Sequence, residues 1–191
     1  MSSEPDRGRG RRQLLLVVGL FAAPVLLAFA LSLSGWRPEG TRQTGTLLDP
    51  PRDFKSVVAT RADGSTTFWN RPEGHWYLLW PIPAECGEPC VRMADTLERV
   101  RLRMARHAPR LEIYLVGEPD EALRRRLEGS PIVPVTLEPN PLPAARPPLP
   151  SEHPGLPLAL HLVDPNGFWI MDYAPGTDPS GLRRDLDRLI N

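Results

Sequence analysis

Cysteine is nearly absent: the chain of 191 residues carries two, Cys86 and Cys90. That count excludes a disulfide-rich scaffold and a four-cysteine zinc site. Lysine is scarcer still, with Lys55 alone, so arginine carries almost all the positive charge. The formal net charge is zero, and no single-sign field draws the chain toward nucleic acid. The sequence has no glycine-rich phosphate loop, no Ser-His-Asp set and no metal-spaced histidine pair, which removes support for most enzyme classes. Its length suits one domain plus an anchor, and is too short for two ordinary domains. What it has in quantity is proline, 24 residues, which argues for long irregular connections and against an all-helical bundle.

From Leu14 to Leu33 no charged residue occurs. As a helix such a run spans roughly 30 Å, the thickness of the hydrocarbon core of a bilayer. Arg7, Arg9, Arg11 and Arg12 precede it, so the positive-inside rule keeps the tail in the cytoplasm and sends the rest outward. The reading is a cytoplasmic basic tail (1–13), a single-pass anchor in the inner membrane (14–36) with Trp36 at the outer interface, a tether (37–55) and a periplasmic domain (56–191). A cleaved signal peptide is the competing reading, because Ala28-Phe29-Ala30 has the small-x-small form of a cleavage site. In either case the domain is exported to an oxidising compartment.

Val57 to Thr60 and Thr66 to Trp69, around Ala62-Asp63-Gly64, form a hairpin signal. Trp76 to Trp80 is a continuous apolar run that suits a central strand buried on both faces. Past the cysteines, Met93, Leu97, Val100 and Met104 recur at helical spacing, with Arg92, Arg99, Arg103 and Arg106 on a solvated face. Leu111 to Val116 reads as the next strand and Glu121 to Leu127 as a helix. From 139 to 157 prolines are too dense for a regular element, so an extended surface excursion is expected. Leu158 to Val163, the turn Asp164-Pro165-Asn166-Gly167, and Phe168 to Tyr173 make a closing hairpin. Asp178 and Pro179 then start a last helix with Leu182, Leu186 and Leu189 on one stripe. The order predicts an α/β, thioredoxin-like fold: a four- or five-stranded mixed sheet with helices on both faces.

The cysteines stand where strand gives way to helix. Residues i and i+4 on a helical turn bring their Cα atoms to about 6 Å, within disulfide range. At a helix N-terminus Cys86 feels the positive end of the dipole, which favours the thiolate, while Glu85 and Glu88 oppose it. A structural disulfide is the alternative for the same pair. Pro157, ahead of the late strand, is the candidate for a cis-proline facing the dithiol.

Cys86-Gly87-Glu88-Pro89-Cys90 after an apolar strand, then Leu162-Val163-Asp164-Pro165-Asn166-Gly167 before a closing strand and helix, resembles the SCO family. The layout is closest to the small membrane-anchored SCO-like proteins of bacterial oxidase assembly gene clusters, which share a Gly-x-Leu-Leu segment, here Gly45 to Leu48. The resemblance implies a thioredoxin-like protein that helps deliver copper to the binuclear centre of cytochrome c oxidase. Its partners would be the copper-bearing oxidase subunit or another assembly factor. One position departs: SCO proteins carry a metal-binding histidine about nine residues before the proline of the Asp-Pro turn, where this chain has Leu156. His153 is the nearest substitute, and His161 falls inside the strand. Two thiolates alone still suit Cu(I), so the expected metal set is Cys86 and Cys90, with His153 as a possible third donor.

Three functions remain open on these residues. The domain reduces a target's cysteine pair by thiol–disulfide exchange, as a thiol–disulfide oxidoreductase with Cys86 attacking and Cys90 resolving. It carries Cu(I) between the same two sulfurs. Or it is a non-catalytic, membrane-anchored binding module with a structural disulfide.

Overall fold

The computed structural model describes residues 7–33, 43–71, 73–150 and 153–190. Trp36, the part of the expected tether before Gln43 and the first six residues of the tail lie outside them.

The chain forms two compact units, residues 1–42 and 43–191. In the first, α1 (Arg7–Leu33) is a 27-residue helix with Pro24 inside it. Leu14, Leu20, Phe21 and Leu27 are all exposed on it. Counted over the described residues, no helix is long and apolar enough to cross a membrane. Side chains 7–10, 15, 28, 31 and 32 of α1 lie outside the description.

The second unit is built on one mixed sheet of eight strands, in the spatial order β1-β8-β7-β4-β5-β6-β2-β3. The strands are β1 (Thr46–Asp53), β2 (Val58–Arg61), β3 (Thr66–Thr67), β4 (Trp76–Pro81), β5 (Leu111–Val116), β6 (Ile132–Glu138), β7 (Leu160–Val163) and β8 (Phe168–Tyr173). β4, β5 and β6 run parallel, and the strands on either side of them pair antiparallel. The helices are α2 (Glu88–Arg103), α3 (Glu121–Arg126) and α4 (Pro179–Leu189). Asp178 caps α4 by accepting from the Ser180 amide at 3.0 Å, with Pro179 in the first turn.

Alternation along the strands sorts the core into two layers. Trp76, Leu78 and Trp80 of β4 join Leu111, Ile113 and Leu115 of β5 and the apolar faces of α2, α3 and α4. Tyr77 and Leu79 point the other way, into a cluster with Phe54, Trp69, Tyr114, Leu142 and Trp169. β4 is therefore buried on both faces, as its unbroken apolar run predicts.

Several expectations are corrected. The sheet has eight strands, not four or five, because β1, β2, β3 and β6 extend it at both ends. β1 lies within the stretch read as tether and pairs along β8 despite Pro50 and Pro51. Its outer edge needs no amide donors, so proline is tolerated there. Helices do not cover both faces: among the described residues, no helical side chain contributes to the second cluster, which strands and connecting loops close. The proline-rich stretch is irregular as expected, yet Leu142 within it is buried in that cluster.

A thiol pair at a strand-to-helix junction

β4 ends at Pro81, and the chain runs through an open loop before α2 begins at Glu88. Cys86 lies in that loop and Cys90 in the first turn of the helix. They form a disulfide with Cα atoms 5.6 Å apart, within disulfide range, although Cys86 stands outside the helical turn that the spacing assumed. Cys90 is completely buried in the first core layer, whereas Cys86 is partly exposed and packs against its rim. Only one of the two residues therefore meets solvent.

Gly87 makes the bend between them. It is the N-cap of α2 with φ +57°, a conformation L side chains rarely adopt. Its carbonyl accepts from the Cys90 amide at 3.1 Å. Its own amide donates across the fold, to Asp120 Oδ2 at 3.1 Å. Asp120 is the N-cap of α3, and its second oxygen accepts from the Leu123 amide at 2.8 Å. α2 and α3 are joined again further along, where Arg126 hydrogen-bonds Asp95 at 2.6 Å and Glu98 at 2.7 Å.

The residues expected to complete a metal site are elsewhere. His153 is exposed, accepts from the Gly155 amide at 3.2 Å, and shares a cleft with Arg92, Asp95, Thr96 and Arg99 of α2. Among the described residues, no group of three or more His, Cys, Asp or Glu side chains stands together to hold a metal ion. Leu156, the counterpart of the SCO histidine, is 1% exposed and belongs to the same apolar layer as Cys90. His161 is buried and pairs in register with Leu79, so it faces the second layer, away from Cys90. There its Nδ1 meets Asp172 Oδ1 at 2.6 Å, and its ring stands edge-on to Trp169. Pro157 is not a cis-proline: the cis X-Pro bonds among the described residues are Asp49–Pro50 and Glu138–Pro139. The Leu156 amide donates to the Thr177 carbonyl and its own carbonyl accepts from the Gly176 amide, both at 2.8 Å, which ties that stretch to the turn before α4.

Sequence reasoning missed Asp120. Asp120-Glu121-Ala122-Leu123 is a legible helix start, but nothing local shows that the cap also reaches the cysteine loop. It missed a second polar cluster at the opposite end of the parallel strands. There Glu112 receives Arg71 and, at 2.6 Å, the Tyr114 hydroxyl, with His75 Nδ1 3.1 Å away. Burial acts to raise the Glu112 carboxyl, but the hydrogen bonds from Tyr114 and Arg71 outweigh it and hold the group below its ordinary range. Burial, then the bond to Glu112, pushes the Tyr114 phenol up to about 12.

Parallel strands leading to a dithiol at a helix N-terminus, followed by a closing antiparallel hairpin and helix, define a thioredoxin-like protein. A family model described as a transmembrane-like, thioredoxin-like C-terminal domain matches residues 76–191. The chain belongs to that family. Among solved structures, apo Sco1 from Thermus thermophilus is similar in fold, with 14% identity, a TM-score of 0.52, and 80% of this chain and 99% of that one covered. A SCO1/SenC family lipoprotein from Bacillus anthracis has 16% identity and a TM-score of 0.50, over 75% and 99% of the two chains. No curated protein sequence matches.

Proposed function

We propose that this protein is a membrane-anchored thiol–disulfide exchange factor serving the assembly of the copper centre in a haem–copper cytochrome c oxidase. The observation that carries the reading is the asymmetry of the pair: Cys86 partly exposed, Cys90 fully buried, within one disulfide. In the reduced protein the Cys86 thiolate attacks one sulfur of a target disulfide, and the target's other sulfur leaves as a thiolate. Cys90 then attacks Cys86, releasing the second target thiol. Two electrons pass to the target, and the pair is returned to the dithiol by an electron-donating dithiol protein of the same compartment. The target in this reading is the cysteine pair of the oxidase's copper-bearing subunit, which must be reduced to bind metal.

The anchor in this reading is residues 14–36, with the domain on the periplasmic side. Its support is the uncharged run inside α1, the arginines before it and the family's transmembrane-like description. A three-ligand copper site of the SCO kind does not fit this chain, because a buried leucine fills the histidine position and His153 lies against α2. Two thiolates remain a sufficient donor set for Cu(I) as cargo.

The test uses the full chain in detergent. Cys90→Ser, incubated with a peptide carrying the oxidised target motif, is expected to accumulate a mixed disulfide through Cys86. Its absence, with the wild-type pair resisting reduction in the folded protein, would leave a binding module with a structural disulfide. Cu(I) titration of the reduced chain against the Cys86→Ser, Cys90→Ser double variant reads the cargo role separately.

A further inference from the structure

The bend that follows Cys86 is held from outside α2 by the side chain of Asp120. The Gly87 amide, immediately after Cys86, is a donor at the N-terminus of α2, where unpaired amides stabilise negative charge. Asp120 Oδ2 takes that amide at 3.1 Å, while Oδ1 is held at 2.8 Å by the Leu123 amide of α3. The carboxylate is thus fixed at both oxygens. It bridges the junction after β5 to the bend at Gly87, whose backbone is in the left-handed region.

We propose that Asp120 is a positioning residue that sets the redox poise of the Cys86–Cys90 pair. It acts through the geometry of the bend, and in favour of the disulfide. The clamp on Gly87 holds the bend in the geometry that keeps the cysteine Cα atoms 5.6 Å apart, so Cys90 meets Cys86 without further ordering of the loop. A pair tuned this way is a reductant of its targets more than an oxidant.

This inference rests on the pair being a reversible dithiol, as proposed above. The test is equilibration of the full chain in detergent with glutathione buffers at one fixed pH. In that reaction the protein disulfide and two glutathione thiols give the protein dithiol and one glutathione disulfide, with two electrons and two protons transferred. Asp120→Ala is expected to shift the equilibrium toward the dithiol by roughly tenfold, the scale of one charge-assisted hydrogen bond. Asp120→Asn keeps a cap for α3 and an acceptor for Gly87 but loses the charge, and is expected to shift it by roughly threefold. Glu121→Gln, which changes an exposed carboxylate of the same helix, is expected to leave the constant where it is. A wild-type pair that interchanges with glutathione while both Asp120 variants keep the wild-type constant would overturn the role of Asp120 alone. A wild-type pair that does not interchange in the folded protein would overturn the exchange reading, and this inference with it.

Discussion

Cys86 and Cys90 share one bond but not one environment: the first opens to solvent, and the second lies wholly inside the layer formed by α2, α4 and the sheet. A disulfide with one partly exposed and one buried cysteine favours attack at the exposed residue. Cys90→Ser is therefore expected to trap a partner through Cys86, whereas Cys86→Ser is expected to trap none. Non-reducing electrophoresis of both variants, with and without an oxidised target peptide, reads the difference.

Asp185 on α4 is 2% exposed and accepts both the Thr44 amide at 2.6 Å and the Gly45 amide at 2.9 Å. It ties the start of the folded unit to its last helix. Asp185→Ala leaves two backbone donors without their acceptor and is expected to cost about 2–4 kcal/mol. Urea unfolding followed by tryptophan fluorescence measures it.

Glu112 and Tyr114 give stability opposite limits. The folded Glu112 carboxyl lies below its unfolded value, so its contribution is complete above about pH 4.3 and is lost as pH falls through the folded value. The folded Tyr114 phenol lies near 12. Its contribution is complete below the unfolded value of about 10 and fades as pH rises toward the folded one. Glu112→Gln is expected to flatten the acid limb of a Tm-against-pH profile. Tyr114→Phe is expected to make the alkaline limb shallower.

Leu156→His tests why the third donor is missing. It places a polar ring in the apolar layer that contains Cys90, at an expected cost of about 2–4 kcal/mol without metal. If this position faces the pair as it does in the SCO family, the reduced variant is expected to show a thiolate-to-Cu(II) absorption band that the wild type lacks. No band would separate Leu156 from the cysteine site.

The central strands were legible because their signal is local. Trp76 to Trp80 and Leu111 to Val116 declare themselves by unbroken or alternating apolar residues, and the capped closing helix by Asp178 and Pro179. β1 and β6 were not, since Pro50, Pro51 and Pro134 break both patterns. Each is stabilised by a partner distant in sequence, β8 for the first and β5 with β2 for the second. The dithiol was legible from two residues and a periodicity. The remote carboxylate at Gly87 was not, because a hydrogen bond across 33 positions leaves no local pattern. The absence of histidine at position 156 was legible; the burial that fills its place was not.

The two outer margins of the sheet carry a further consequence. On one side β1 presents Pro50 and Pro51, which have no N–H to offer, and its pairing with β8 shifts register between Leu47 and Arg52. On the other, β3 is two residues long. Both margins are blunted as templates for an incoming strand, a hazard that open sheets otherwise carry. Strand addition to the sheet is thus disfavoured as a way of recruiting a client segment. In the proposed exchange the client is instead held through side chains around Cys86 and the transient covalent bond, so each encounter ends once Cys90 closes the ring.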